Sequence, residues 1–341
     1  MRGTSEGVTG IVYNHNRNLS FTKMKNITIS FQACLLSFFV MIILSCSKDR
    51  ITPIATEVPR ERALDSTELF LASPDEVLKG FTSPPTSKII NSSVDMPFIG
   101  TKGTKIFASD YDFIFPNGDP VIFPIKLEIL ELFSPKDMIL NQMPTVANGR
   151  LLTTAGEVNI KAYKDGKELK LKRYNNMRIE IPSSNPDASM KLFYGRTLVD
   201  GHVDWVEAEF ISESDCTSSR IIATKENYQI FPKQIGWINC DKFYSYTGAK
   251  TKIRFTSAKP QISSIVTFLY FDEIKSVVQV HGGESLDLPV GEHVKVICVA
   301  SKTNGELYTY STDFNVAPDQ VVEVKLAKTT EGRFLEYLSS L

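Results

Sequence analysis

Histidine, tryptophan and cysteine are all scarce in this chain of 341 residues, numbering four, two and five. The histidines His15, His202, His281 and His293 are scattered, and neither a His-Glu-x-x-His helix nor a Cys-x-x-Cys pair occurs, so a built zinc site is not expected. A phosphate-cradling glycine loop ending in Lys-Ser/Thr is missing, as is the dinucleotide fingerprint. No cofactor is expected. "GGESLDL", Gly282 to Leu288, sets a serine after glycines without the closing glycine of a nucleophile elbow, and reads as a turn entering a strand. An excess of charge is lacking too: 38 basic against 39 acidic residues leave a net charge of −1, which attracts no nucleic acid. There is no uninterrupted apolar run of the roughly 20 residues that a spanning helix needs.

What is plentiful is sheet-forming material, with 21 Phe and 12 Tyr and short alternating runs of Val and Ile. One shorter apolar run stands apart. Ala33 to Leu44 is broken only by Ser37, preceded by Lys23 and Lys25, and followed by Ser45, Cys46 and a charged stretch. A positive flank, a short apolar core and a small residue before a break describe a secretory leader. Reading it as a spanning helix means extending back to Ile27 through Thr28, Ser30 and Gln32, which is the weaker account. Residues 1–23 fit poorly in a leader, so Met24 is expected to be the true start and His15 to carry no function.

"IILSC", Ile42 to Cys46, resembles the lipobox of bacterial lipoproteins through Ile43 and Ser45, with Leu44 bulkier than usual. That resemblance implies cleavage before Cys46 and a mature amino terminus carrying palmitate-type acyl chains. One chain holds weakly, at about 0.8 kcal/mol per buried methylene, whereas two or three anchor stably. Ser47 in place of Asp argues against inner-membrane retention, and "CSKDR" looks like the export signal of Bacteroidota surface lipoproteins. The expectation is an outer-membrane protein held by lipid, with surface exposure open.

The mature chain divides by composition. Residues 46–88 are expected to be the lipidated cysteine and a Pro-, Ser- and charge-rich tether. Fully extended at about 3 Å per residue, such a tether spans several tens of Å. Residues 89–212 read as a first β-sandwich. In "VIFPIKLEILEL" Val121, Phe123, Ile125, Leu127 and Ile129 share one face, with Pro124 suggesting an edge or a bulge. "EVNIKAYKDGKELKL" is a hairpin turning at Asp165-Gly166. A connector at 213–227 leads to a second, immunoglobulin-like sandwich at 228–328. Its segment "SIVTFLYF" is apolar on both faces and is therefore placed centrally. Residues 329–341 carry Phe334, Leu335, Leu338 and Leu341 at helical spacing, a short helix expected to pack on that second sandwich. The fold class is all-β: two tandem sandwiches after a leader and a tether, with a C-terminal helix.

"PNGDPVIFPIKLEILELFSPKDMIL", "TVANGRLLTTAGEVNIKAYKDGKELKL", "MRIEIP" and "MKLFYG" resemble an uncharacterised group of Bacteroidota outer-membrane lipoproteins. The first domain of that group is similar to the β-sandwich module of ankyrins, zonula-occludens proteins and netrin receptors. Matching positions are Gly118, Glu131, Gly149, Leu152, Gly156, Gly166, Met190, Phe193, Gly195 and Trp205. "QIGWINCDKF", Gln234 to Phe243, resembles the opening of the second domain of the group, and the likeness runs from about Gly100 to Leu326. Some eukaryotic relatives cut themselves at a His-Phe-Ser step; that triplet is missing here, so self-cleavage is not implied.

Candidate chemistry is sparse. His202 and Asp204 share a strand face and can meet for acid/base work, though a surface hydrogen bond beside Trp205 is the blander account. Asp110, Asp112 and Asp119, with Asn117, offer oxygens to Ca²⁺ without the dense spacing of a calcium loop. Tyr308 and Tyr310 share a face and can stack on sugar rings, as sandwich tyrosines also do on one another. With Cys34 and Cys46 assigned to leader and lipid, Cys216, Cys240 and Cys298 remain. A Cys216–Cys240 bond is expected, worth about 3 kcal/mol in loop entropy, with three free thiols as the alternative. The expected role is binding or structural, without a catalytic site, directed at a glycan, a peptide or an outer-membrane protein. The alternative is a hydrolase of envelope or dietary polysaccharide, which needs paired carboxylates in a cleft.

Overall fold

In the computed structural model of the chain, residues 69–71, 74–198, 202–208 and 219–341 are described. Period-2 alternation dominates the first half and determines its architecture. The strands are β1 (Thr86–Ile90), β2 (Lys105–Phe107), β3 (Ile125–Leu132), β4 (Arg150–Lys164), β5 (Arg178–Pro182), β6 (Lys191–Thr197), β7 (Val203–Glu207), β8 (Arg220–Ala223), β9 (Asn227–Phe231) and β10 (Gly236–Phe243). The larger sheet runs β1-β3-β4-β10-β6-β7, and the facing sheet β8-β9-β5-β2 with Phe98–Ile99 outside β2. Every pairing in these two sheets is antiparallel. Ile125, Leu127, Ile129, Val158, Ile160 and Ala162 line the inner face of the larger sheet and pack in one core with Ile106, Ile179, Ile181 and Ile230. Each such side chain is worth about 1.5–3 kcal/mol on burial.

The hairpin forms as its sequence requires: Asp165 and Gly166 both take positive φ, 50° and 75°, and Lys164 pairs with Lys167. Pro124, expected to mark an edge or a bulge, instead lies just before β3, which sits inside the sheet between β1 and β4. A proline there costs no ladder bond because the ladder has not begun.

The second sandwich comprises β11 (Arg254–Thr256), β12 (Val266–Phe271), β13 (Ser276–Val280), β14 (His293–Ser301), β15 (Leu307–Asn315), β16 (Val321–Glu323) and β17 (Ala327–Thr329). Its main sheet runs β13-β12-β14-β15-β17. One face packs Leu269, Phe271, Val278, Val294, Val296 and Cys298 in a core with Phe255 of β11 and Val322 of β16, which pair in parallel. The opposite face is equally apolar: Val266, Phe268, Tyr270, Val277, Ile297 and Val299 share a core with Leu132, Leu152, Phe193 and Trp205 of the first sandwich. All six residues of β12 are buried in consequence. This explains the two-faced apolar run in the sequence.

Two boundaries differ from the sequence reading. The second module was expected to open at residue 228 after a connector, but β8 and β9 pair into the sheet of β5, and β10 pairs with β4 and β6, so all three belong to the first. The outer face of β10 sets Trp237 and Phe243 against the shared core with Asn239 and Asp241 buried between them, so it has no solvent face to mark it as a strand of either module. Leu69–Leu71 and α1 (Pro74–Leu78) were expected in the tether, but they are part of the body. Leu71 N donates to Ser301 O at 2.8 Å, Thr303 N donates to Leu69 O at 2.8 Å, and Val77 and Leu78 enter the shared core. The end of the expected tether, Thr86–Lys88, already belongs to β1, while residues 46–68, Cys46 among them, and the leader lie outside the described residues.

Two further helices complete that core. α2 (Pro135–Leu140) is started by a Ser134–Asp137 capping box and buries Met138, Ile139 and Leu140. α3 (Glu331–Ser339) is capped by Thr330 and buries Phe334 and Leu338. The C-terminal helix therefore lies over the seam rather than on the second sandwich alone, and Lys136 Nζ donates to Ser339 Oγ at 2.8 Å. Both sandwiches and all three helices fall in one unit, Arg62–Leu341. Among the described residues no helix is long and apolar enough to cross a membrane.

Thr145 fastens β13 to the first sandwich. Its backbone N–H donates to Val277 O at 2.8 Å, its hydroxyl accepts from Val277 N at 2.8 Å, and it lies 3.0 Å from Ser276 Oγ. Thr145 and Ser276 are fully buried, so the valine isostere leaves buried donors without acceptors. Thr145→Val is expected to cost about 1–3 kcal/mol in urea denaturation, with Thr145→Ser recovering most of it. Equal stability of the valine variant would remove the clamp from this account.

Candidate functional site

The polar groups singled out in the sequence scatter. Asp112 is spent on backbone: Oδ2 accepts from Ser109 N at 2.7 Å and Oδ1 from Asn176 N at 2.7 Å. Asp110 accepts from Tyr111 N at 3.0 Å, and Asp119 from Asn117 Nδ2 at 2.7 Å. These carboxylates cap turns, and the described residues contain no cluster of three or more His, Cys, Asp or Glu placed to hold a metal. Tyr308 packs edge-on against Phe70 at 5.4 Å and donates to Glu306 Oε2 at 3.0 Å, while Tyr310 packs against the second core. Both are half-buried.

Cys240 carries a free thiol with no exposure, inside the core of the first sandwich. The expected bond to Cys216 is thus not formed at Cys240, whose side chain faces the sandwich interior; Cys216 lies outside the described residues. Cys298 is likewise free and buried, and burial pushes its thiol up to about 12.

His202 and Asp204 do reach a shared recess, but with partners that sequence order hides. The recess holds about 420 Å³ at the seam, and His281, Glu284 and Lys252 reach it from the second sandwich. The rings of His202 and His281 meet edge to face, centroids 4.3 Å apart. Asp204 is engaged by Arg196 at 3.0 Å and by Asn148 N at 3.2 Å. Glu284 lies 2.9 Å from Lys252, whose hydrogen bond lowers the carboxyl below its usual range. Each carboxylate here has its own cation.

A second recess of about 440 Å³ opens at the other end of β13. Phe133 forms its apolar wall, lying so close to Gly156 that a Cβ there would stand 2.5 Å from the ring; Gly156 also has φ +129°. Only glycine satisfies both conditions. On the first-sandwich rim Asp187 is held by Lys242 Nζ at 2.7 Å, Ser189 N at 2.8 Å and Ser189 Oγ at 2.7 Å. The Lys242 hydrogen bond leads these in holding the Asp187 carboxyl far below the carboxylate range. Across the opening, the β12–β13 turn presents Glu273 and Lys275. Neither makes an ion pair with a described residue. The rim thus carries fixed donors and acceptors of both signs above an aromatic wall.

Beside Gly156 and Lys242 of this recess lies a buried group that sequence reasoning missed. Leu132, Glu157, Asn239 and Phe193 form one row across β3, β4, β10 and β6 on the face turned to the second sandwich. Glu157, Asn239 and Asp241 are fully buried, and Asn239 Nδ2 donates to Asp241 Oδ2 at 2.7 Å and to Glu157 Oε1 at 3.4 Å. Burial, reinforced by Asp241, raises Glu157 well above its ordinary range, and burial raises Asp241 likewise. These are proton-holding groups, but their lack of exposure keeps a substrate from them.

No protein-family model matches the chain. No curated protein matches it either. Among solved structures, a gamma-CGTase from alkalophilic Bacillus clarkii aligns with 71% of this chain at 8% identity and a TM-score of 0.16. The chain spans 41% of the length of that protein, and at that TM-score the likeness informs neither fold nor chemistry.

Alkylation at pH 8 followed by peptide mass mapping is expected to leave Cys240 and Cys298 unmodified in the native protein and to label both after denaturation. Rapid native labelling of Cys240 would place it outside the core.

Proposed function

We propose that the protein is a lipid-anchored envelope protein, moored through Cys46, that binds a partner and catalyses no reaction. The ligand surface in this reading is the recess bounded by Phe133, Asp187, Lys242 and Lys275. The observation that carries it is the combination of volume, about 440 Å³, with an aromatic wall and a rim of prearranged donors and acceptors. Small-ligand sites fall in the range of about 300–1,000 Å³ and owe their specificity to a few fixed polar groups. A rim of mixed sign suits an uncharged polar partner, a glycan or a peptide backbone, better than a polyanion.

Catalysis has less support. Of the carboxylates lining the two recesses, Asp187 and Glu284 are held by lysines that favour the ionised form and Asp204 pairs with Arg196, which leaves Glu273 without an ion pair among the described residues. The groups that hold protons, Glu157 and Asp241, are sealed. A glycosidase needs one carboxyl of each kind in a single accessible cleft.

Mass spectrometry of the amino-terminal peptide from native membranes is expected to find Cys46 acylated, and protease shaving of intact cells to report exposure. In a screen of envelope and dietary oligosaccharides and peptides, Lys275→Ala and Lys242→Ala are expected to weaken binding about tenfold, as loss of a charged hydrogen bond does. Unchanged binding in both variants would move the site elsewhere. Release of reducing ends by the wild type but not by His281→Ala would favour the hydrolase.

A further inference from the structure

The acidic pair is unusual in what it lacks. Glu157 Oε2 and Asp241 Oδ1 are buried without a hydrogen-bond partner, and neither carboxyl has an ion pair among the described residues. Asn239 supplies one amide nitrogen to both, and Thr154 and Ala155 offer further donors to Asp241, but no cation balances either negative charge and burial prevails. Leaving two carboxylates unpaired out of water is prohibitive, so they keep their protons while covered. Their cover is provided by the seam. The row Leu132–Glu157–Asn239–Phe193 belongs to the face packed on the second sandwich, and beside it Thr154 N donates to Lys275 O at 3.2 Å.

We propose that seating the second sandwich on the first is coupled to proton uptake at Glu157 and Asp241, so that the seam is tighter at mildly acidic pH and loosens as pH rises. The sign follows from linkage. When the seam opens, both groups meet water and ionise with ordinary carboxyl behaviour, releasing up to two protons; when it closes they must be reprotonated. Above pH 4 to 5 the opening equilibrium therefore grows with pH, by roughly tenfold per pH unit for each proton released, until the closed-form groups themselves ionise. Burial, with Asp241 acting on Glu157, displaces both groups in the direction this requires.

The surrounding charged groups do not supply the effect. From the second sandwich, Tyr270 donates to Asp272 at 2.9 Å, and Glu273 and Lys275 line the recess. From the first, Lys242 is bound to Asp187, Asp137 to Lys102, and Cys240 faces the opposite side of the sheet. The His202–His281 contact lies at the far end of β13, in the other recess. Asp204 and Glu284, with their partners Arg196 and Lys252, are the charges near those rings.

The test uses the full mature chain, wild type, the Glu157→Gln and Asp241→Asn single variants, and the double variant. Infrared spectroscopy at pH 7.5 is expected to detect protonated carboxyl absorption in the wild type that diminishes in each single variant and disappears in the double. Hydrogen exchange at the seam amides of Thr145, Thr154 and Val277, corrected for intrinsic base catalysis, is expected to give a wild-type opening constant that rises roughly tenfold or more per pH unit. The slope should fall in the single variants and flatten in the double. Absence of the protonated-carboxyl band, or the same slope in wild type and either single variant, would overturn the proposal. The single variants, each keeping one native carboxyl, supply this result even if the double variant does not fold.

Discussion

A sheet with two apolar faces must be covered twice, and the rest of this structure follows from that constraint. β12 has no exposed residue, and its neighbours β13 and β14 contribute to both cores. The seven buried second-sandwich side chains of the shared core, Leu307 included, would each cost about 1.5–3 kcal/mol if left in water, a sum on the scale of the net stability of a whole domain. The modules are therefore two halves of one body, not beads on a string. α1, α2 and α3 fill the same seam, which is why short segments from near both ends of the described chain are ordered against it.

Elements whose burial is settled within one hairpin were legible in the sequence. Ile125, Leu127, Ile129 and the Asp165-Gly166 turn state their own geometry, because a half-buried antiparallel strand advertises its inner face every second residue. The two-faced run over β12 was equally plain, and so was the helical spacing of Phe334 and Leu338. What the alternation could not reveal was the identity of the cover. In "AGEVNIKAY" Glu157 and Asn159 occupy the outward positions, where polar residues normally meet solvent. Only the arrival of a segment more than a hundred residues later turns one of those positions into an interior. The assignment of β10 failed for a related reason: a strand buried on both sides carries no mark of which sheet owns it.

The site was legible in the same partial way. His202 and Asp204 were marked as neighbours, and they do line one recess, but Asp204 is taken by Arg196, and the ring beside His202 comes from His281. Tyr308 and the three aspartates spend their oxygens on local partners, Asp112 also on the distant backbone of Asn176. Asp187, Lys242 and Lys275 carried no signal. Each is an ordinary surface residue along the chain, and only the fold brings loops from both sandwiches to one opening. A search for motifs finds sites built from one segment; a seam is built from many.

The position of the polar groups at that seam also decides what each can do. Most charges on the rims are paired and partly hydrated, so each pair contributes little to stability while holding its members in fixed orientation. The carboxyls beneath are unpaired and uncharged, and they respond to the seam itself rather than to anything bound at its edge. β13 links the two sets, with Val277 and Lys275 at one recess and Gln279 at the other. A ligand that touches both sandwiches at a rim must prefer the closed seam, and it can shift the equilibrium only by that difference in affinity. Reciprocity then requires that whatever tightens the seam, a proton on Glu157 included, also tightens the grip on such a ligand.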